Sequence, residues 1–199
     1  MSEGHGHVHL PIAARVRELE ERLIAAGLTT DQELDAILAG LFSNASPVNG
    51  ARLVARAWTD SAFRERLLAD GSAAAAELGF QTQTAQGSGF RLRVVANTPA
   101  QHNVLVCTLC SCYPISLLGP SPSWYKSLAY RSRVVREPRV VLAEFGLTLP
   151  DEVEIAVWDT SAETRYLVLP VRPPETEGLA QDELIELVTA NGLIGTAAL

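Results

Sequence analysis

Three cysteines, Cys107, Cys110 and Cys112, fall within six residues, and the 199-residue chain has no others. That spacing rules out a fold stapled by disulfides. A bridge between any two of them would close a loop of only a few residues in strained geometry and would tie no distant segments together. The chain opens Met1-Ser2-Glu3-Gly4-His5, without the basic-then-apolar layout of an export signal. It is therefore read as cytoplasmic, and clustered thiols in that setting are expected to hold a metal or to do chemistry.

From Val106 to Pro114 the sequence reads V-C-T-L-C-S-C-Y-P. Steps of three and then two residues on a tight loop can bring three sulfurs around one point, and thiolates favour soft or borderline transition metals. A structural zinc site is nearly always closed by four side chains, and an iron–sulfur cluster also takes four cysteines. The chain has no fourth. His102 lies five residues upstream, at the other end of an expected strand, hence roughly 15 Å away at ~3.3 Å per residue. Cys110-Ser111-Cys112 offers another solution, in which main-chain amide nitrogens join the sulfurs around a trivalent ion acidic enough to displace the amide protons. Two nitrogens and two thiolates would then form a plane with Cys107 on one axis, leaving the sixth position open. Trivalent cobalt or iron suits that demand better than zinc, and an open position on such an ion polarises a bound group. Exposed thiolates beside it are candidates for oxidation to sulfenic and sulfinic acids. Leu109 has no donor atom and is expected to anchor the loop in the core. Three readings stay open at this point: a functional metal site, which is preferred, a structural zinc module, and inert or redox thiols.

Composition narrows the partners. Hydrophobic residues make up 47% of the chain and charged residues 20%, as in ordinary globular proteins. A formal net charge of -7 supplies no positive field for nucleic acid or an anionic membrane. No run approaches the ~18 apolar residues of a spanning helix. A small neutral molecule or another protein is the expected partner.

The chain divides into three stretches by pattern. Residues 1–10, with His5, His7 and His9, read as a flexible tail. Residues 11–80 read as a helical N-terminal arm. Ile12, Val16, Leu19, Leu23 and Ile24 recur at helical steps up to Gly27, and Thr30 and Glu33 have capping-box spacing ahead of Leu34, Ile37, Leu38 and Leu41. A loop is expected from Asn44 to Gly50, then short helices around 53–58, from Asp60 to Asp70, and up to Gly79. Residues 81–199 read as the metal-binding body. Strands are expected at 91–95, 104–106, 153–158 and 165–169, and helices at 137–145 and 182–189. The expected fold class is α+β, a helical arm packed on a mixed, layered α/β C-terminal domain that carries the metal loop.

The cysteine segment resembles the metal-binding signature of the nitrile hydratase alpha subunit and of the related thiocyanate hydrolase gamma subunit. The likeness continues through Trp124-Tyr125-Lys126, Tyr130 to Arg133, Val134 to Arg139, Glu144-Phe145-Gly146, Trp158-Asp159-Thr160, Glu163 to Tyr166 and Leu193-Ile194-Gly195. It implies Cys107 as the axial ligand, with Cys110, Cys112 and the amides of Ser111 and Cys112 in the plane. It also implies a sulfinic acid at Cys110 and a sulfenic acid at Cys112. Thr108 matches the cobalt form of the motif, implying low-spin Co(III), with iron(III) the weaker alternative. The implied reaction is hydration of a nitrile to an amide, with Cys112 and Ser111 at the catalytic centre. The implied partners are a small-molecule nitrile, a beta subunit or two shorter beta-like chains that supply arginines to the oxidised sulfurs, and a metallochaperone or activator. The helical arm would wrap the partner subunit.

By the same resemblance Trp124 lines the substrate pocket, and Gln86 of the pair Gln86-Gly87 reaches into it. Asp159, Glu163 and Arg165 match a stretch that supports the interface and a proton network, though plain salt bridges are the simpler expectation for each. One departure stands out. Where many relatives continue with Trp-Pro after Cys112-Tyr113-Pro114, this chain has Ile115-Ser116. Loss of an indole there would open the pocket to a bulkier nitrile, in the manner of the toyocamycin type of the family.

Overall fold

A computed structural model describes residues 11–43, 45–82 and 89–199. His5, His7, His9, Gln86 and Gly87 lie outside the described residues.

Two compact units divide the chain between Ser43 and Asn44. The first holds α1 (Ile12–Ala25) and α2 (Asp31–Ser43). The capping box forms as the spacing predicts. The Thr30 amide donates to Glu33 Oε2 at 3.0 Å, and the Glu33 amide donates to Thr30 Oγ1 at 3.2 Å. Two amides that a helix start would otherwise leave unpaired are thereby satisfied. α1 buries none of its residues, and its periodic apolar positions Ile12, Val16 and Leu19 are exposed, as are Ile37 and Leu38 of α2.

The second unit begins with α3 (Pro47–Thr59), α4 (Ser61–Ala69) and α5 (Gly71–Glu77). The sequence pattern assigns these helices to the arm, but their contacts group them with the strands. Ser72 Oγ accepts the Leu92 amide at 2.8 Å, and Trp58 Nε1 donates to the Pro170 carbonyl at 2.9 Å. Where a loop is expected through Gly50, α3 already starts at Pro47. Ser46 caps it by accepting the Val48 amide, and proline suits a first turn whose amide needs no partner. Gly50 is required inside the helix, because a Cβ there would lie 2.7 Å from the Leu117 carbonyl oxygen.

Among the described residues four strands form two parallel pairs. β1 (Arg91–Ala96) lies beside β4 (Thr164–Leu169), and β2 (Gln101–Val106) lies beside β3 (Glu154–Asp159). β2 starts three residues before the apolar run suggests, because its polar half is buried and bonded. His102 Nε2 bonds the Gly195 carbonyl at 2.7 Å, and the Asn103 amide donates to Asn97 Oδ1 at 2.8 Å. Gly195, at φ +88°, packs directly on this strand. Between β2 and β3 run α6 (Ile115–Leu118), a 3-10 turn at Ser123–Lys126, α7 (Leu128–Arg133) and α8 (Pro138–Glu144). A second 3-10 turn (Pro174–Thr176), α9 (Gln181–Leu187) and α10 (Ala190–Ile194) complete the α+β unit.

Parallel pairing decides where the site lies. Val106 stands opposite Asp159, so β2 runs into Cys107 at the edge where β3 runs into Thr160. Ligand sites at the carboxyl ends of parallel strands follow from this geometry.

Candidate metal centre

Cys107 continues the buried run Val104-Leu105-Val106, Cys112 is half-buried, and Cys110 is exposed. All three Sγ atoms lie within 4.8 Å of one another, and no other side chain among the described residues joins them in a possible metal-binding group. Cys107 Sγ is 3.4 Å from Cys110 Sγ, and Cys110 Sγ is 3.2 Å from Cys112 Sγ. At a metal–sulfur bond of about 2.3 Å, tetrahedral angles separate two sulfurs by about 3.8 Å and right angles by about 3.3 Å. The two spacings to Cys110 are nearer the right-angle value than the tetrahedral one. His102 is held by Gly195 and Asn97 and takes no part.

The electrostatics ask for a cation. Hydrogen bonds from the thiols of Cys112 and Cys107, and then from the amides of Cys112 and Ser111, draw the Cys110 thiol down to about 7. Burial, and then the neighbouring Cys110, push the Cys112 thiol up to about 12. Once one sulfur loses its proton the next is held back, as expected of like charges at this distance. A positive ion beside them would let Cys110 and Cys112 ionise together.

The loop is framed by side chains from elsewhere in the fold. The Arg131 guanidinium on α7 donates to the Cys107 carbonyl at 2.9 Å and to the Thr108 carbonyl at 2.5 Å. The Asp159 carboxylate accepts the Thr108 amide at 2.9 Å and also bonds the Thr108 hydroxyl. Thr160 Oγ1 and the Tyr125 hydroxyl both donate to the Cys112 carbonyl, at 2.7 and 3.2 Å. Arg165 donates to the Tyr113 carbonyl at 2.6 Å, lies 4.5 Å from the centre of the Phe90 ring, and its charge favours an ionised Cys112.

Several expectations change here. Leu109 is not a core anchor but is 89% exposed, because Cys107 and Tyr113 occupy the inward positions of the loop. Asp159, Glu163 and Arg165 form no salt bridge among the described residues. Asp159 and Arg165 bond the loop backbone instead, while Glu163 accepts from Ser161 Oγ at 3.0 Å. Trp124 is half-buried in an aromatic cluster, with ring centres 4.8 Å from Tyr130 and 4.6 Å from Phe145. The framing roles of Tyr125, Arg131 and Thr160 were not readable from spacing, although all three lie within the segments that carry the resemblance.

The sequence pattern of the family described as "Nitrile hydratase, alpha chain" matches residues 10–197. The chain belongs to the nitrile hydratase alpha family. The low-molecular weight cobalt-containing nitrile hydratase subunit alpha of Rhodococcus rhodochrous is 47% identical over 94% of this chain and 88% of its own length. The thiocyanate hydrolase subunit gamma of Thiobacillus thioparus is 49% identical over 76% of this chain and 65% of its own length. A doubly substituted iron-type nitrile hydratase from Comamonas testosteroni Ni1 superposes with a TM-score of 0.86 at 45% identity, covering 94% of this chain and 90% of that one. Nitrile hydratase alpha chains thus share both the sequence and the mixed α+β fold described above. No helix among the described residues is long and apolar enough to cross a membrane.

Proposed function

We propose that this chain is the cobalt-bearing alpha subunit of a cytoplasmic nitrile hydratase, adding water to a nitrile to give the amide. The observation that carries the reading is the loop itself, three sulfurs within 4.8 Å of one another, with Cys110 at 3.4 and 3.2 Å from the other two, beside the amides of Ser111 and Cys112. Cys107, Cys110, Cys112 and those two amide nitrogens are the ligands. Thr108 and the cobalt-containing relatives support cobalt over iron. When bound, Co(III) supplies a Lewis acid that makes the nitrile carbon electrophilic.

The chain's own residues do the rest. Cys112, as a sulfenate, attacks that carbon or takes the proton of the water that does so. Cys110, as a sulfinate, adds negative oxygens at the solvent side. Thr160 and Tyr125 fix the Cys112 carbonyl and so keep its sulfur and amide in register. Trp124 and Gln86 are the pocket residues that the family resemblance suggests. Ile115, half-buried three residues after Cys112, leaves room for a bulky heteroaromatic nitrile of the toyocamycin kind. A beta subunit, as one chain or two shorter ones, supplies arginines to the oxidised sulfurs. It would also cover the exposed apolar stripe of the helical arm, and an activator protein would insert the cobalt.

The test is elemental analysis and peptide mass spectrometry of the complex expressed with its partner, followed by a nitrile panel that includes heteroaromatic members. Cobalt, two or three oxygens added across Cys110 and Cys112, and amide formation are expected. Zinc with three unmodified thiols would overturn the reading. Likeness to the thiocyanate hydrolase gamma subunit supports the alternative reading, in which the same centre acts on thiocyanate, and carbonyl sulfide and ammonia released from thiocyanate would identify it.

A further inference from the structure

The loop from Cys107 to Pro114 lies outside the helices and strands and is held largely by side chains of other elements. Carbonyls 107 and 108 go to Arg131, carbonyl 112 to Thr160 and Tyr125, and amide 108 to Asp159. Within the loop, the Cys110 amide donates to Cys107 Sγ at 3.3 Å. Among the framing side chains Arg131 is set apart. It alone bonds two consecutive carbonyls, and one of them belongs to the first metal ligand.

Its helix is itself anchored at the same strand end. Tyr130, the preceding residue, donates its hydroxyl to the Leu105 carbonyl at 2.6 Å, and Ser127 caps α7 by accepting the Tyr130 amide at 3.1 Å. α7 therefore grips carbonyls 105, 107 and 108 in sequence. We infer that Arg131 is the positioning residue of the metal loop: its forked guanidinium turns the peptides at 107 and 108 so that the loop is set for the ion before the ion arrives.

The role belongs to the fork and not to the charge alone. A guanidinium holds two donors in one rigid plane and meets two carbonyls at once, whereas an ammonium is a single point charge on a flexible stem. Lysine at this position keeps the charge and loses the second bond. One freed carbonyl lets the 107–109 peptides rotate, and Cys107 loses its alignment with the amides of Ser111 and Cys112. The inference rests on the metal-centre reading for the identity of the ion but not for the state of the loop.

Two measurements test it. In the complex expressed with its partner, Arg131→Lys should leave folding and subunit association unchanged. Cobalt content should fall about five-fold or more, or the sulfur-to-cobalt absorption band of the remaining centre should shift, and kcat should fall while KM stays within about two-fold. Full cobalt content with an unshifted band and unchanged kcat would overturn the inference. Where the lysine variant fails to fold, hydrogen exchange of the metal-free wild-type protein decides. Amides 108 and 110 should be protected to a similar degree before and after cobalt addition, and free exchange in the metal-free protein would overturn the inference. A wild-type protein that takes up no cobalt, yet protects these amides, would overturn the metal reading and leave the framing intact.

Discussion

Replacing Gly195 with alanine puts a methyl group against the strand that delivers Cys107. A Cβ at that position would lie 2.0 Å from the Asn103 carbonyl oxygen and 3.0 Å from the Val104 Cα, and the backbone φ is +88°. Two costs combine. Placing alanine in the left-handed region costs about 1–2 kcal/mol. Opening a contact of 2.0 Å forces a buried strand to shift by about 1 Å, and overpacking of this kind costs about 1–3 kcal/mol. Gly146→Ala provides the internal control, since Gly146 has nearly the same φ, +85°, and a methyl group there would meet nothing within 4 Å. At about 3 °C per kcal/mol for a chain of this size, the control should lower Tm by about 5 °C and Gly195→Ala by about 10 °C. The assay is thermal unfolding of the two variant complexes at one protein concentration, with cobalt content measured alongside. On the proposed cobalt reading the Gly195 variant should lose cobalt as well, because β2 ends at Cys107. Equal Tm shifts for the two variants would refute the argument that close approach to β2, and not the φ angle alone, demands glycine at 195.

Thr160→Val and Tyr125→Phe should each cost about 1 kcal/mol in denaturant unfolding, since each leaves the Cys112 carbonyl one donor. The double variant should cost at least about 1 kcal/mol beyond the sum, and additivity within ~0.5 kcal/mol would mean that the carbonyl is otherwise satisfied. Stability should also depend on His102, whose pKa burial lowers against the smaller opposing effect of its bond to the Gly195 carbonyl. A lowered folded value means that its contribution is complete above the ordinary value of about 6.5 and is lost as pH falls below it toward the folded value. His102→Gln should flatten the decline in Tm between about pH 7 and pH 5, and an unchanged slope would assign that decline to other groups.

The cysteine cluster was legible in the sequence because its spacing along the chain is its spacing in the loop. The caps were legible for the same reason: Thr30 with Glu33, and Asp60 with the Phe63 amide, are three residues apart. The frame was not. Arg131 reaches back 23 and 24 residues, Thr160 48, Asp159 51 and Arg165 52, and no local pattern marks such pairs. Asp159 and Arg165 look like ion-pair partners in sequence, yet the backbone of the loop claims both. The start of α3 was hidden because Pro47 and Gly50 read as breakers. Proline sits in the first turn, and glycine makes room for α6. Leu109 misled for a related reason: hydrophobicity indicates a preference for burial, but the loop leaves that side chain no inward place.

Side chains from distant parts of the chain grip the loop by its main chain, so a transplant of residues 107–112 into a foreign host would carry the donors without their arrangement. A scaffold meant to inherit the centre would need an arginine fork behind the first two peptides and hydroxyl donors behind the last cysteine. By the same logic the outward side chain of Leu109 takes no part in the grip, and its exposed apolar surface lies on the side of the loop that the partner would meet.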